Sequence, residues 1–279
     1  MGRIVVIGDS TTQDYDKNAY PQQGWAYYLK DVFGKDNVLN LARAGYALKT
    51  YIYAWDYIKG NIRENDPDKC YFTECLNKIE KGDTVIFAWG AINDMGMIDF
   101  DAYREAVGGE YVKDNYFVDR DVFLNVGKGY GTHNLFTLRS TPQETEKIMR
   151  FMINKIKEKC DKVIVVSSTG KYYPLNGNKF NVFCASHMYR AAIKNAAVTT
   201  ESAYIDVAYD FEKEFSEIGY DGMMDKYFLS KRTYERCRRE SGLDVKDGYR
   251  DDNVHYNFNG AKRICNIFLE QANKLHILP

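Results

Sequence analysis

Three stretches of the chain are apolar almost without interruption: Ile4-Val5-Val6-Ile7, Thr84-Val85-Ile86-Phe87-Ala88-Trp89 and Lys162-Val163-Ile164-Val165-Val166-Ser167-Ser168. Runs this rich in branched aliphatic residues predict strands buried on both faces, as in a parallel sheet. Two further stretches, Asn37-Val38-Leu39-Asn40-Leu41-Ala42 and Ala203-Tyr204-Ile205-Asp206-Val207, bring the set to five. Between them apolar residues recur at helical spacing. Positions 25, 28, 29, 32 and 33 form one stripe, ended by Gly34, and helices are predicted over 48–57 and 71–80. Thr141-Pro142-Gln143-Glu144 supplies an N-cap, a first-position proline and the glutamate of a capping box. The helix it opens has Ile148, Phe151, Met152 and Ile156 on one face. Helices follow over 184–198, in parts of the charged, Tyr-rich stretch 211–242, and over 260–274. The last turns Ala261, Ile264, Cys265, Phe268, Leu269 and Ala272 inward.

Strand and helix alternate, so the predicted fold class is α/β. The expected architecture is three-layer α/β/α, with a five-stranded parallel sheet in the order 2-1-3-4-5 of a flavodoxin-like fold. No repeat, low-complexity tract or linker divides the chain, and residues 1–279 are read as a single domain. The stretch 95–140 shows no period and holds Gly108, Gly109, Gly127, Gly129 and Gly131. A structureless segment this long inside a domain is usually functional. It follows the third strand and is expected to overhang the edge where ligands bind.

Charge narrows the partners. Lys and Arg total 38 against 39 Asp and Glu, so nucleic acid is not an expected partner. The basic cluster from Lys231-Arg232 to Arg238-Arg239 is read as a solvated helix face. None of the six cysteines forms a C-x-x-C pair, so no metal and no cofactor is expected. No apolar run is long enough for a membrane span, and the chain passes from Met1 straight into a strand without a signal region. A cytoplasmic protein is expected, or a secreted one if an export signal has been removed. Oligomeric state is not legible. With 23 Tyr, 15 Phe and 3 Trp, 15% of residues are aromatic, a composition suited to stacking on sugar rings.

The first strand runs into Gly8-Asp9-Ser10-Thr11-Thr12, which puts Ser10 at the carboxyl edge of the sheet. A serine becomes a nucleophile only beside a base, an orienting acid and oxyanion donors. Of the four histidines, His276 is terminal, His187 lies in a helical stretch and His133 in the long loop. His255 sits in Asp251-Asp252-Asn253-Val254-His255, read as a loop, where a carboxylate three residues back can reach Nδ1 and leave Nε2 free for Ser10. Asp252 is the expected acid and Asp251 the alternative. Gly45 ends the second strand and Asn93 follows the third, so both loops border Ser10 and can donate to an oxyanion together with the Ser10 N–H.

These segments, in this order, resemble the SGNH (GDSL-type) hydrolase superfamily, with Ser10, Gly45, Asn93 and His255 at the positions its name spells out. Gly8-Asp9-Ser10-Thr11-Thr12 followed by Tyr20-Pro21-Gln22-Gln23-Gly24-Trp25, and His255-Tyr256-Asn257 leading into Asn259-Gly260-Ala261, are similar to the rhamnogalacturonan acetylesterase group. The resemblance implies a Ser10–His255–Asp252 triad. It also implies an oxyanion hole of Ser10, Gly45 and Asn93, and removal of acetyl groups from pectic or hemicellulosic saccharides without a metal. Asp9, Tyr46 and Asp94 are expected to contact substrate, a small-molecule or oligosaccharide ester. Two features depart from the group. Gly90-Ala91-Ile92-Asn93-Asp94 has one residue more and lacks a His, and Tyr46-Ala47 stands where Arg-Ser is common. A lipase- or thioesterase-like hydrolase of longer acyl chains, and a non-catalytic carbohydrate-binding protein on the same fold, remain alternatives at this stage.

Overall fold

A computed structural model describes residues 2–52, 55–56, 61–62, 70–94, 140–168, 170, 172–175, 179–182 and 184–278. In chain order its elements begin with β1 (Ile4–Gly8), α1 (Leu29–Phe33), β2 (Val38–Asn40), α2 (Leu48–Tyr51), β3 (Trp55–Asp56), β4 (Asn61–Ile62), α3 (Tyr71–Lys78) and β5 (Thr84–Trp89). They continue with α4 (Pro142–Lys157), β6 (Lys162–Ser167), β7 (Tyr172–Leu175), β8 (Lys179–Val182), α5 (Cys184–Thr199) and β9 (Ala203–Asp206). The last are α6 (Val207–Tyr227), β10 (Phe228–Leu229), α7 (Lys231–Glu240), β11 (Asp252–Tyr256) and α8 (Phe258–Lys274).

The predicted sheet is present: β2-β1-β5-β6-β9, all parallel, which is 2-1-3-4-5 counted along its own strands. Its apolar strands feed two cores by alternation. Val5, Ile7, Val85, Phe87, Trp89, Val163 and Val165 face α3, α4 and α5. Ile4, Val6, Ile86, Ala88, Ile164, Val166 and Ile205 face the 25–28 turn, α6 and α8. Both faces are covered, which is why these strands carry no polar alternation. Thr141 and Glu144 form the predicted capping box of α4.

The structure departs from the pattern in four places. The stripe at 25–33 is a 3-10 turn (Trp25–Tyr28) leading into α1, and its three-residue period carries Val32 out to 57% exposure. The helix predicted over 48–57 ends at Tyr51, and Trp55–Asp56 pairs antiparallel with Asn61–Ile62. β7 and β8 form a hairpin that the periodicity did not suggest. The stretch 211–242 divides into α6, kinked at Gly219, and α7, with β10 between them pairing with β11. His255 is therefore on a strand and not in a loop. The predicted excursion 95–140 lies, except for Ser140, outside the described residues, as does His133. Among the described residues no helix is long and apolar enough to cross a membrane.

Candidate active site

β1 stops at Gly8, where a side chain would meet the Ala88 carbonyl oxygen at 2.9 Å and the Thr12 Cβ at 2.8 Å. The chain then turns, the Asp9 carbonyl accepting from the N–H groups of Thr12 and Gln13 at 3.1 Å. The turn leaves Ser10 at the strand end, 7% exposed. Its Oγ lies 2.8 Å from Nε2 of His255, and Nδ1 of the same ring lies 2.6 Å from Oδ2 of Asp252. Asp252 also accepts through Oδ1 from the N–H groups of Val254 (2.9 Å) and His255 (3.1 Å). Acid and base are thereby held as one unit on β11. A charged Asp252 fixes the proton on Nδ1 and leaves Nε2 to accept from the Ser10 hydroxyl. The alternative acid, Asp251, is engaged elsewhere, accepting from the Lys231 N–H at 2.6 Å. His187 bonds Arg190 (2.9 Å), and His276 is exposed near the end of the chain.

Burial disfavours the charged form of His255, but the hydrogen bond and charge of Asp252, with the charge of Asp9, outweigh it and raise the imidazole pKa above 6.5. Burial likewise opposes ionisation of Asp252. The hydrogen bond and charge of His255 and the two backbone N–H donors win, holding the carboxyl below 3.8.

Gly45 and Asn93 come to the same edge on neighbouring loops. Gly45 has φ +75°, a left-handed conformation that disfavours side chains. Neither its N–H nor that of Ser10 has an acceptor among the described residues. The Asn93 side-chain amide donates to the Tyr46 carbonyl at 3.0 Å, joining the two loops. Asp94 reinforces the junction: it accepts from the Leu48 N–H (2.9 Å), the Ser140 hydroxyl (3.0 Å) and the Trp89 indole N–H (2.8 Å). The loop after β5 takes a left-handed conformation at Ala91 (φ 55°), within the stretch that is one residue longer than the resembling group.

Two residues expected to contact substrate, Asp9 and Asp94, are buried. Asp9 is 1% and Asp94 0% exposed, and both carboxylates are taken up inside the protein. Asp9 accepts from the Thr11 N–H (2.9 Å), the Thr11 hydroxyl (2.7 Å) and the Gly90 N–H (3.1 Å), so it braces the Ser10 turn against the loop after β5. Tyr46 keeps partial exposure, edge-on to Tyr51 and Tyr71. The sequence reading missed three supports. The Tyr15 hydroxyl donates to the Ser10 carbonyl at 2.9 Å, and the Asn253 amide donates to the Tyr172 carbonyl, anchoring β11 between acid and base. Arg238, read as part of a solvated face, is 5% exposed and donates to the carbonyls of Asn18 (3.2 Å), Tyr20 (3.1 Å) and Asp244. A cleft of about 790 Å³ runs along α7 and does not include Ser10. Its charges pair with one another, as in Arg232–Asp225 and Arg239–Glu235, both at 3.1 Å.

No family model matches the chain, and no curated protein matches it. Solved structures do. Protein YXIM of Bacillus subtilis is 21% identical with TM-score 0.56, over 99% of this chain and 57% of its own, so the chain spans little more than half of that protein. A lipolytic protein of the G-D-S-L family from Veillonella parvula is 13% identical (TM-score 0.53), with 97% of each chain covered. Axe2, an acetylxylan esterase from Geobacillus stearothermophilus, is 14% identical (TM-score 0.52), over 97% of this chain and 93% of its own. At these identities the likeness concerns the fold. With its five-stranded sheet and two helical layers, the chain shares the three-layer α/β/α fold of the G-D-S-L-family protein and the acetylxylan esterase.

Proposed function

We propose that the protein is a serine esterase that removes O-acetyl groups from plant-wall-type saccharides, pectic or hemicellulosic, through an acyl-enzyme. The hydrogen-bonded chain Ser10–His255–Asp252, at 2.8 and 2.6 Å, carries this reading. Nε2 of His255 takes the Ser10 proton as Oγ attacks the ester carbonyl carbon. Asp252 holds the ring and balances the imidazolium. The N–H groups of Ser10 and Gly45 and the Asn93 amide receive the developing oxyanion. The tetrahedral intermediate collapses, its C–O bond breaks, and the sugar oxygen leaves with the proton from Nε2. Water then gives its proton to Nε2, attacks the acetyl-serine, and acetate departs as Ser10 is reprotonated. Losing one oxyanion donor costs ~10²–10³ in rate, so Asn93→Ala is expected to fall in that range.

The acetyl and saccharide assignments draw support from the likeness of the 8–12 and 255–261 motifs to the rhamnogalacturonan acetylesterase group. The Asp-, Gly-, Tyr- and Asn-rich composition of 95–140 also suits a polyol better than an acyl chain. The test is acetate release from acetylated xylan, pectin and mannan fragments, with Ser10→Ala as the inactive control. Acetyl and octanoyl nitrophenyl esters are compared alongside. Acetate from at least one fragment and a preference for the acetyl ester are expected. No acetate from any fragment removes the substrate assignment, and an octanoyl preference favours the lipase reading.

A further inference from the structure

A cleft of about 370 Å³ is left unused by the proposed hydrolytic steps. One wall is the segment leaving the nucleophile, with Asp16, Asn18 and Gln22. The other is Tyr234 of α7 with Lys246 and Tyr249 from the segment running into Asp252. Both walls are continuous with the catalytic residues. Gln23, next to Gln22, accepts from the Tyr15 N–H (2.9 Å) and donates to the Tyr15 carbonyl (3.2 Å), and the Tyr15 hydroxyl in turn holds the Ser10 carbonyl (2.9 Å). On the other side, burial first, then the negative charges of Asp252 and Asp251 and the neighbouring Tyr234 hold the Tyr249 phenol well above its usual range.

The cleft is built and braced. The Tyr234 and Tyr249 rings stack face to face, 3.7 Å apart and 1° from parallel. The Arg238 guanidinium lies 5.4 Å from the Tyr234 ring centroid and bonds the carbonyls of Asn18, Tyr20 and Asp244. One buried cation thus ties the Asn18 wall to the wall that carries the aromatic stack, and among the described residues no carboxylate pairs with it. A ring already held in place loses little freedom when a ligand packs on it. Planar amides and a carboxylate beside an aromatic ring match the two chemistries of a pyranose, an apolar C–H face and a rim of hydroxyls.

We propose that this cleft is a saccharide subsite. It holds a pyranose ring neighbouring the acylated sugar, packed on Tyr249 and hydrogen-bonded by Asn18, Gln22 and Asp16. The assignment of the ring to the esterase's own substrate rests on the function proposed above, whereas saccharide binding at the cleft does not. Ser10→Ala protein is therefore titrated calorimetrically with two unacetylated probes, xylotriose and trigalacturonate. Saturable binding of at least one is expected. Adding Tyr249→Ala is expected to weaken it about tenfold or more, while Tyr249→Phe stays within about threefold. Asn18→Ala, on the exposed loop, is expected to weaken it about threefold or more without touching the stack. Absence of binding to both sugars, or binding unchanged in Tyr249→Ala and Asn18→Ala, overturns the subsite. Acetate release by the unmutated protein is scored separately, so failure of the esterase reading is told apart from failure of the cleft.

Discussion

At His255 burial and a carboxylate act on one imidazole in opposite directions, and the carboxylate prevails. In the proposed mechanism the neutral ring accepts the Ser10 proton, so hydrolysis is expected to rise with pH as His255 loses its own. For nitrophenyl acetate, kcat/KM is expected to climb to an alkaline plateau through an inflection above 6.5, the ordinary value for this group. Asp252→Asn removes the charge that raises the pKa, so it should move the inflection downward and lower kcat by ~10²–10⁴. A parent inflection at or below 6.5 would contradict the assignment of Asp252 as partner. The same pair acts on stability with a different optimum. His255, with a raised pKa, contributes fully below its ordinary 6.5 and loses that contribution as pH rises through the higher folded value. Asp252, with a lowered pKa, contributes fully above 3.8 and loses it as pH falls through the lower folded value. The pair therefore stabilises most in mildly acidic solution, where the imidazolium it favours is catalytically idle. Chemical denaturation of parent and Asp252→Asn should differ more at about pH 5.5 than at about pH 8.5.

At the scale of elements, the proposed oxyanion donors are only as well placed as the two loops that carry them, and Asp94 is where those loops meet. Burial pushes its carboxyl up to about 6, against the Leu48 N–H, the Trp89 indole and the Ser140 hydroxyl, which favour the charged form. Asp94→Asn keeps an oxygen for Leu48 and Ser140 but turns an amide N–H toward the Trp89 N–H. Leaving that indole without an acceptor should cost about 1–3 kcal/mol. Loosening the Gly45–Asn93 register should reduce kcat on nitrophenyl acetate by about tenfold while KM moves by about twofold or less. An unchanged kcat would show that the loops keep their register without the carboxylate. Elements buried on both faces were legible in the sequence, because β1, β5 and β6 needed continuous apolar runs. α8 was legible through its inward stripe. β11 was not, since three of its five residues are polar, although Val254 and Tyr256, both buried, carry the two-residue period of a strand. The β7–β8 hairpin had its own signal in Asn176-Gly177, a favoured turn pair between two short aromatic runs. Asp9, Asp94 and Arg238 had none. A charged residue that satisfies itself on polar groups inside the protein looks, in a sequence, like one that meets solvent or substrate.

On the scale of the whole molecule, the proposed nucleophile and base are drawn from opposite ends of the chain, Ser10 and His255 lying 245 positions apart. Nothing local holds them together, so the docking of the carboxyl-terminal elements against the amino-terminal ones must. Two of the contacts that do this lie close to the pair in sequence. The Gln23 N–H bonds the Tyr256 carbonyl at 3.1 Å, one residue beyond the base, and Trp25 packs against Phe268 of α8 with ring centroids 5.1 Å apart. Both aromatic side chains are fully buried. Phe268→Ala should cost about 3–5 kcal/mol through the cavity it leaves. In a chain of this size that lowers the thermal midpoint by roughly 5–15 °C. Phe268 touches none of the reacting groups, so kcat well below the transition should stay within about twofold of the parent. On heating, esterase activity and the far-ultraviolet helix signal should then disappear together, because undocking α8 separates base from nucleophile and breaches the core in the same event. Activity lost well before the helix signal would instead mean that α8 and β11 leave the sheet as a separate unit, with Ser10 stranded on an otherwise intact fold.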